Sequence, residues 1–194
     1  MSKLRIALIA EDDTDCAAVR EIIHRVLGRE TATEKWASKG CSSLERKLSV
    51  KLKLFVRNGC NAFIIVRDLD RNPQNNALND EAKSRKKLEE SASIVKLSQT
   101  LICIPVEELE AWFWSDPDII RMVGKGKGQA SKNPHLIAQP KEALIKLSRG
   151  ENRKPLYSTN DNAELAARLN LELCADRCPS FKDLLDFLNS LTSD

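Results

Sequence analysis

Two apolar runs in this chain end abruptly in acids. Leu4–Ala10, broken only by an arginine near its start, runs into Glu11-Asp12-Asp13-Thr14-Asp15. Ala62–Val66 runs into Arg67-Asp68-Leu69-Asp70. Short, nearly unbroken apolar runs read as strands covered on both faces, the pattern of a parallel sheet. Thr100–Val106 is a further strand, with Pro105 marking its end, and Glu30–Trp36 is a weaker one.

Helical spacing fills the intervals. Val19, Ile22, Ile23, Val26 and Leu27 share one face of a helix over Thr14–Leu27, which Gly28 ends. Asp12, Asp13 and Thr14 all offer capping oxygens; Asp13 reads as the cap and Asp12 as a turn residue. Ser42-Ser43 caps a helix striped by Leu44, Leu48, Leu52 and Phe55 that stops at Asn58-Gly59. A charged helix covers Asn79–Ser91, after a loop through Arg71-Asn-Pro-Gln-Asn-Asn, and another begins at Glu107–Trp114. Beyond Trp114 the strands stop. Helices are expected over Asp116–Val123, Pro140–Leu147 and Asn160–Leu169, with a basic loop at Gly124–Gly128. A last helix is expected to be capped by Ser180 with Asp183, striped by Phe181, Leu184, Leu185, Leu188 and Leu191.

Alternating strands and helices predict an α/β fold with a mainly parallel sheet flanked by helices. It would occupy residues 1–115, with residues 116–194 as a helical C-terminal lobe packed on it. In such sheets, sites form beyond the carboxyl ends of the strands. Glu11, Asp68 and Glu107 all fall there.

Composition adds limits. The 194 residues are 42% hydrophobic and 30% charged, enough for an ordinary core. A net charge of +3 does not by itself imply nucleic acid, but bases concentrate in Arg46–Lys53, Lys83–Lys87 and Lys125–Lys132 while acids gather at strand ends. None of the six cysteines forms a CxxC pair, and Cys174 with Cys178 is a weak zinc signal. With no signal-peptide pattern and no apolar run long enough for a membrane, the expectation is a cytoplasmic protein with reduced thiols.

Four carboxylates within Glu11–Asp15 repel one another unless a cation sits among them. Glu11, Asp68 and Asp70 would supply the hard oxygens that Mg2+ or Mn2+ takes, and Asp15, four residues after Glu11, can face the same site from the first helical turn. A second ion there would give the two-metal arrangement for in-line phosphodiester cleavage. Glu110 would be a supporting ligand and Glu107 a weaker candidate, with Glu108 solvated. Trp112 and Trp114 read as core and His24 as a helix residue outside the chemistry. Arg67, Arg71, Lys125 and Lys127 are candidate phosphate contacts.

Glu11 at one strand end and Asp68-Leu69-Asp70 at another resemble the Toprim fold of topoisomerases, primases and nucleases. Asp15 matches the additional acid of Toprim nucleases of the overcoming-lysogenization-defect type. Asp12 stands where that pattern usually has glycine. Ile104-Pro-Val-Glu-Glu-Leu-Glu-Ala-Trp-Phe-Trp-Ser-Asp116, Pro140-Lys-Glu-Ala-Leu and Cys178-Pro-Ser-Phe181 resemble signatures of a bacterial family of small, stand-alone Toprim-like proteins. The resemblance implies a Mg2+- or Mn2+-dependent nuclease using Glu11, Asp15, Asp68, Asp70 and Glu110. It also implies nucleic acid as substrate and an ATPase partner in phage defence; a homodimer is left open. Two alternatives stand beside it. A receiver-like domain would use Asp68 as phosphoacceptor, and a non-catalytic module would only recruit its partner.

Overall fold

The computed structural model describes residues 3–72, 74–93, 99–149 and 154–192. Among these residues one sheet forms from β1 (Arg5–Ala10), β2 (Ala32–Ala37), β3 (Ala62–Val66) and β4 (Thr100–Cys103). Its order is β2-β1-β3-β4 and every neighbouring pair is parallel. The two apolar runs are therefore the central strands, in a register that sets Ile9 opposite Ile65.

Strand alternation divides the core between two faces. Ile6, Leu8 and Ala10 of β1, with Ile64 and Val66 of β3, face α1 (Asp13–Leu27). Ala7, Ile9, Phe63 and Ile65 face α2 (Cys41–Arg57) and α3 (Glu81–Ser93), where Leu44, Leu48, Leu52 and Leu88 meet them. Each large apolar side chain removed from water contributes about 1.5–3 kcal/mol. β2 lies at an edge with partly exposed residues, which explains its weaker sequence pattern.

The later helices are α4 (Pro117–Val123), α5 (Pro140–Arg149), α6 (Asn162–Arg168), α7 (Leu171–Arg177) and α8 (Pro179–Ser190). They join the core on the α1 face: Leu144, Leu165, Leu169, Phe181, Leu184 and Leu188 belong to one buried cluster with Val19, Ile22 and Ile23. α6 lies along α1, and α8 packs on β4. Trp112 meets Phe181 edge-on at 5.1 Å, as aromatic rings prefer.

Several local expectations change. The segment from Glu107 is a 3-10 helix over Leu109–Ser115. Helix α2 starts after Gly40, with no side-chain cap from Ser42 or Ser43. Ser180 does not cap α8: its hydroxyl accepts the Trp112 indole N–H at 3.1 Å, and the helix begins at Pro179 after Cys178. A capping box stands instead at Ser158 and Asp161. Helix α7 was not expected. Pro73, within the loop after β3, lies outside the described residues. No described helix is long and apolar enough to cross a membrane.

Candidate metal centre

The acids gather where β1, β3 and β4 end. The turn out of β1 is shaped by Asp12, whose Oδ1 accepts Thr14 N–H at 2.8 Å and Asp15 N–H at 2.9 Å. Asp12 is thus the N-cap of α1, correcting the assignment to Asp13, which lies at the surface paired with Lys35 at 2.9 Å. The backbone at Asp12 is extended, with φ −136°, so nothing there requires glycine. Capping turns the Asp12 carboxylate into the helix end. Asp15, one position further into the helix than Thr14, is buried.

Beyond β3 the chain stays paired with the tail of β4. Arg67 N–H donates to Cys103 O at 3.1 Å, Leu69 N–H to Pro105 O at 2.8 Å, and Glu107 N–H to Leu69 O at 3.2 Å. This extended pairing holds Asp68 and Asp70 on either side of buried Leu69. The loop before α2 is drawn onto the end of β1 in the same way. Lys39 N–H and Gly40 N–H both donate to Glu11 O, at 2.8 and 3.1 Å. Cys41, the first residue of α2, follows directly.

Glu11, Asp70 and Cys41 each present one ligand atom, and these atoms lie within 4.8 Å of one another. Asp68, partly buried, instead feels the charges of Asp15, Glu110 and Glu11. The five predicted acids therefore form two adjoining groups that meet at Glu11. Asp15 and Glu110 do not belong to the close Glu11–Asp70–Cys41 set.

Electrostatics mark the whole cluster as short of positive charge. Burial, reinforced by Asp70, pushes Glu11 up to about 7. Burial, with Asp12 and Glu110 adding repulsion, pushes Asp15 up to about 8. Burial also raises Asp68 well above the usual carboxylate range, with Asp15 and Glu110 adding to it. Asp70 rises by burial too, partly countered by Arg67. Glu110 rises by burial, moderated by a hydrogen bond from Asn162.

Among the described residues, two buried carboxylate oxygens of the cluster meet no donor: Glu11 Oε1 and Asp68 Oδ1. Buried polar atoms are nearly always hydrogen-bonded, so two orphaned carboxylate oxygens in one acid cluster fit a cation. The donor set is oxygen-rich, which suits Mg2+ or Mn2+, and the Cys41 thiol adds a softer ligand. Cys41 escaped the sequence reading because no spacing relates it to Glu11 or Asp70. Its only sequence cue is its position just after Gly40, at a helix start.

The glutamates after β4 have distinct roles. Glu110 Oε1 accepts Asn162 Nδ2–H at 3.0 Å, and Asn162 Oδ1 accepts the Tyr157 hydroxyl at 2.7 Å. Glu107 is buried and engaged by Arg71 Nε at 2.7 Å and by Gln139 N–H at 2.9 Å. Those contacts support a left-handed backbone at both Glu107, φ 63°, and Gln139, φ 50°. Arg71 is thereby bound to Glu107. Glu108 is not simply solvated: it accepts Lys141 N–H at 3.0 Å and pairs with Lys141 Nζ.

A parallel sheet whose central strands end in clustered carboxylates defines an α/β protein with a layout consistent with the Toprim-like arrangement. More particularly, the chain belongs to the family described as Domain of unknown function (DUF4276), whose model matches residues 10–189. No curated protein sequence and no solved structure matches it.

Proposed function

We propose that this protein is a divalent-metal-dependent nuclease that cleaves nucleic-acid phosphodiesters in the cytoplasm, with Mg2+ or Mn2+ as cofactor. The observation that carries the reading is the pair of orphaned buried oxygens, Glu11 Oε1 and Asp68 Oδ1, at the ends of adjacent strands. Glu11, Asp70 and Cys41 would hold one ion, while Asp68 and Asp15 would hold or position a second, with Glu110 in support. Such ions supply Lewis-acid charge at the phosphoryl oxygens and favour ionisation of an attacking water. Glu11 would either bind the ion or act as general base toward that water. The Toprim resemblance adds an ATPase partner and a role in phage defence.

A receiver-like phosphoacceptor needs a further strand ending in lysine. The described sheet ends at β4, whose tail runs into Glu107 and Glu108, which favours the nuclease reading.

The test is cleavage of plasmid and oligonucleotide substrates with Mg2+ or Mn2+. Glu11→Ala and Asp70→Ala should each lower the rate roughly 100-fold or more. Cleavage undiminished by both substitutions would remove this site from the chemistry.

A further inference from the structure

Arg67 is a buried cation beside the acid cluster, with only 8% of its surface exposed. Alternation along β3 accounts for its direction. Phe63 and Ile65 face the layer of α2 and α3, and Arg67 continues that series. There its Nη2 lies 3.3 Å from Glu45 of α2. Its Nε and Nη1 are also buried, yet among the described residues they meet no acceptor.

A guanidinium removed from water normally has its donors filled, because a buried donor without an acceptor loses its hydration uncompensated. Neutralising the neighbouring acids would be the simplest use of this charge. Arg67 does stabilise the ionised forms of Glu11 and Asp70 through space. Among the described residues, however, its ion pair is with Glu45 and not with either of them. Glu45 is itself shared, lying 3.5 Å from Lys87 Nζ of α3. Exposed Arg46 and Lys47 of α2 and Lys83 and Lys86 of α3 put further positive charge on the same layer.

We propose that Arg67 anchors the phosphate group of the substrate beside the metal centre, and that Glu45 is its placeholder, released to Lys87 when phosphate arrives. The inference rests on the metal-dependent phosphodiesterase reading above. A guanidinium suits the task because its planar fork matches two phosphate oxygens, which an ammonium cannot reproduce. Glu45 holds only one nitrogen, so displacing it opens a fork whose other donor is already idle.

The experiment titrates inorganic phosphate into Mn2+-loaded protein by calorimetry, with Mn2+ uptake followed separately by electron paramagnetic resonance. The chains compared are wild type, Arg67→Gln, Arg67→Lys and Glu45→Gln. All four should take up Mn2+, and phosphate is titrated at saturating Mn2+ because Arg67 acts electrostatically on Glu11 and Asp70. Phosphate affinity should fall roughly tenfold in Arg67→Gln, fall less in Arg67→Lys, and rise a few-fold in Glu45→Gln. Normal Mn2+ uptake with equal phosphate affinities, or with no phosphate binding by the wild type, overturns this proposal alone. Wild-type protein that takes up no Mn2+ overturns it together with the reading beneath it. If Arg67→Gln does not fold, Glu45→Gln decides: phosphate affinity at or below that of wild type overturns the placeholder.

Discussion

Asn162 holds Glu110 by a buried amide-to-carboxylate hydrogen bond of 3.0 Å, and Tyr157 holds Asn162 by another of 2.7 Å. The first residue of α6 thus orients an acid beside the sheet. Asn162→Leu keeps the volume and leaves the Glu110 oxygen and Tyr157 hydroxyl unpaired. It should cost about 1–3 kcal/mol in chemical denaturation, and Tyr157→Phe about 1 kcal/mol. Glu110 should also titrate higher in Asn162→Leu, because the lost bond favours its ionised form. Unchanged stability in both variants would assign the contact no energetic role.

The metal-free protein should be more stable in mild acid than near neutrality. Glu11 goes from an ordinary 4.5 to about 7, and Asp15 from 3.8 to about 8. Between those limits the folded state holds protons that the unfolded chain has released, so stability is present in mild acid and lost as pH rises through the folded values. Thermal melts in a chelator should fall from pH 5 to about 8. Asp15→Asn should flatten the curve, and Mn2+ should restore the melting temperature most at the alkaline end. A melting temperature that climbs over this interval in chelator would contradict the cluster's electrostatics.

Cys41 should make the centre unusually receptive to soft ions. It is the one cysteine of the six that is not buried, so a thiolate-to-Cd2+ absorption band in the ultraviolet can be assigned to it. Cys41→Ser should abolish the band and weaken Cd2+ binding roughly tenfold or more, while Mg2+ binding barely changes. A band that survives the substitution would place the thiol outside the ion's reach.

Trp112 ties the 3-10 helix to α8 through Phe181 and Ser180. Trp112→Phe should cost roughly 1–3 kcal/mol, from lost volume and an unpaired Ser180 hydroxyl, and Phe181→Ala about 3–5 kcal/mol. Guanidinium denaturation measures both.

The strands and the main helices were legible because their patterns come from burial alone. β3 is apolar throughout and β1 from Ile6 onward, since both faces are covered, and α1, α2 and α8 carry regular stripes. The caps were less legible because competing polar residues can serve. Ser180 had a capping pattern, but the Trp112 indole uses its hydroxyl. Glu107, Glu108 and Glu110 looked alike as a string, yet Arg71, Lys141 and Asn162 give each a different partner from a distant segment. Long-range pairings leave no mark at fixed spacing. Cys41 was hidden for the same reason: it reaches Glu11 through a loop whose amides bond to the Glu11 carbonyl.

The hold of α6 on Glu110 also has a consequence in time. A growing chain that has passed Asp70 already carries the strand-end acids, but Glu110 gains its anchor only after synthesis reaches Asn162. The full acid set therefore matures only once Asn162 has been made. A chain cut short before that point would carry Glu11, Asp68 and Asp70 without the brace that orients their neighbour.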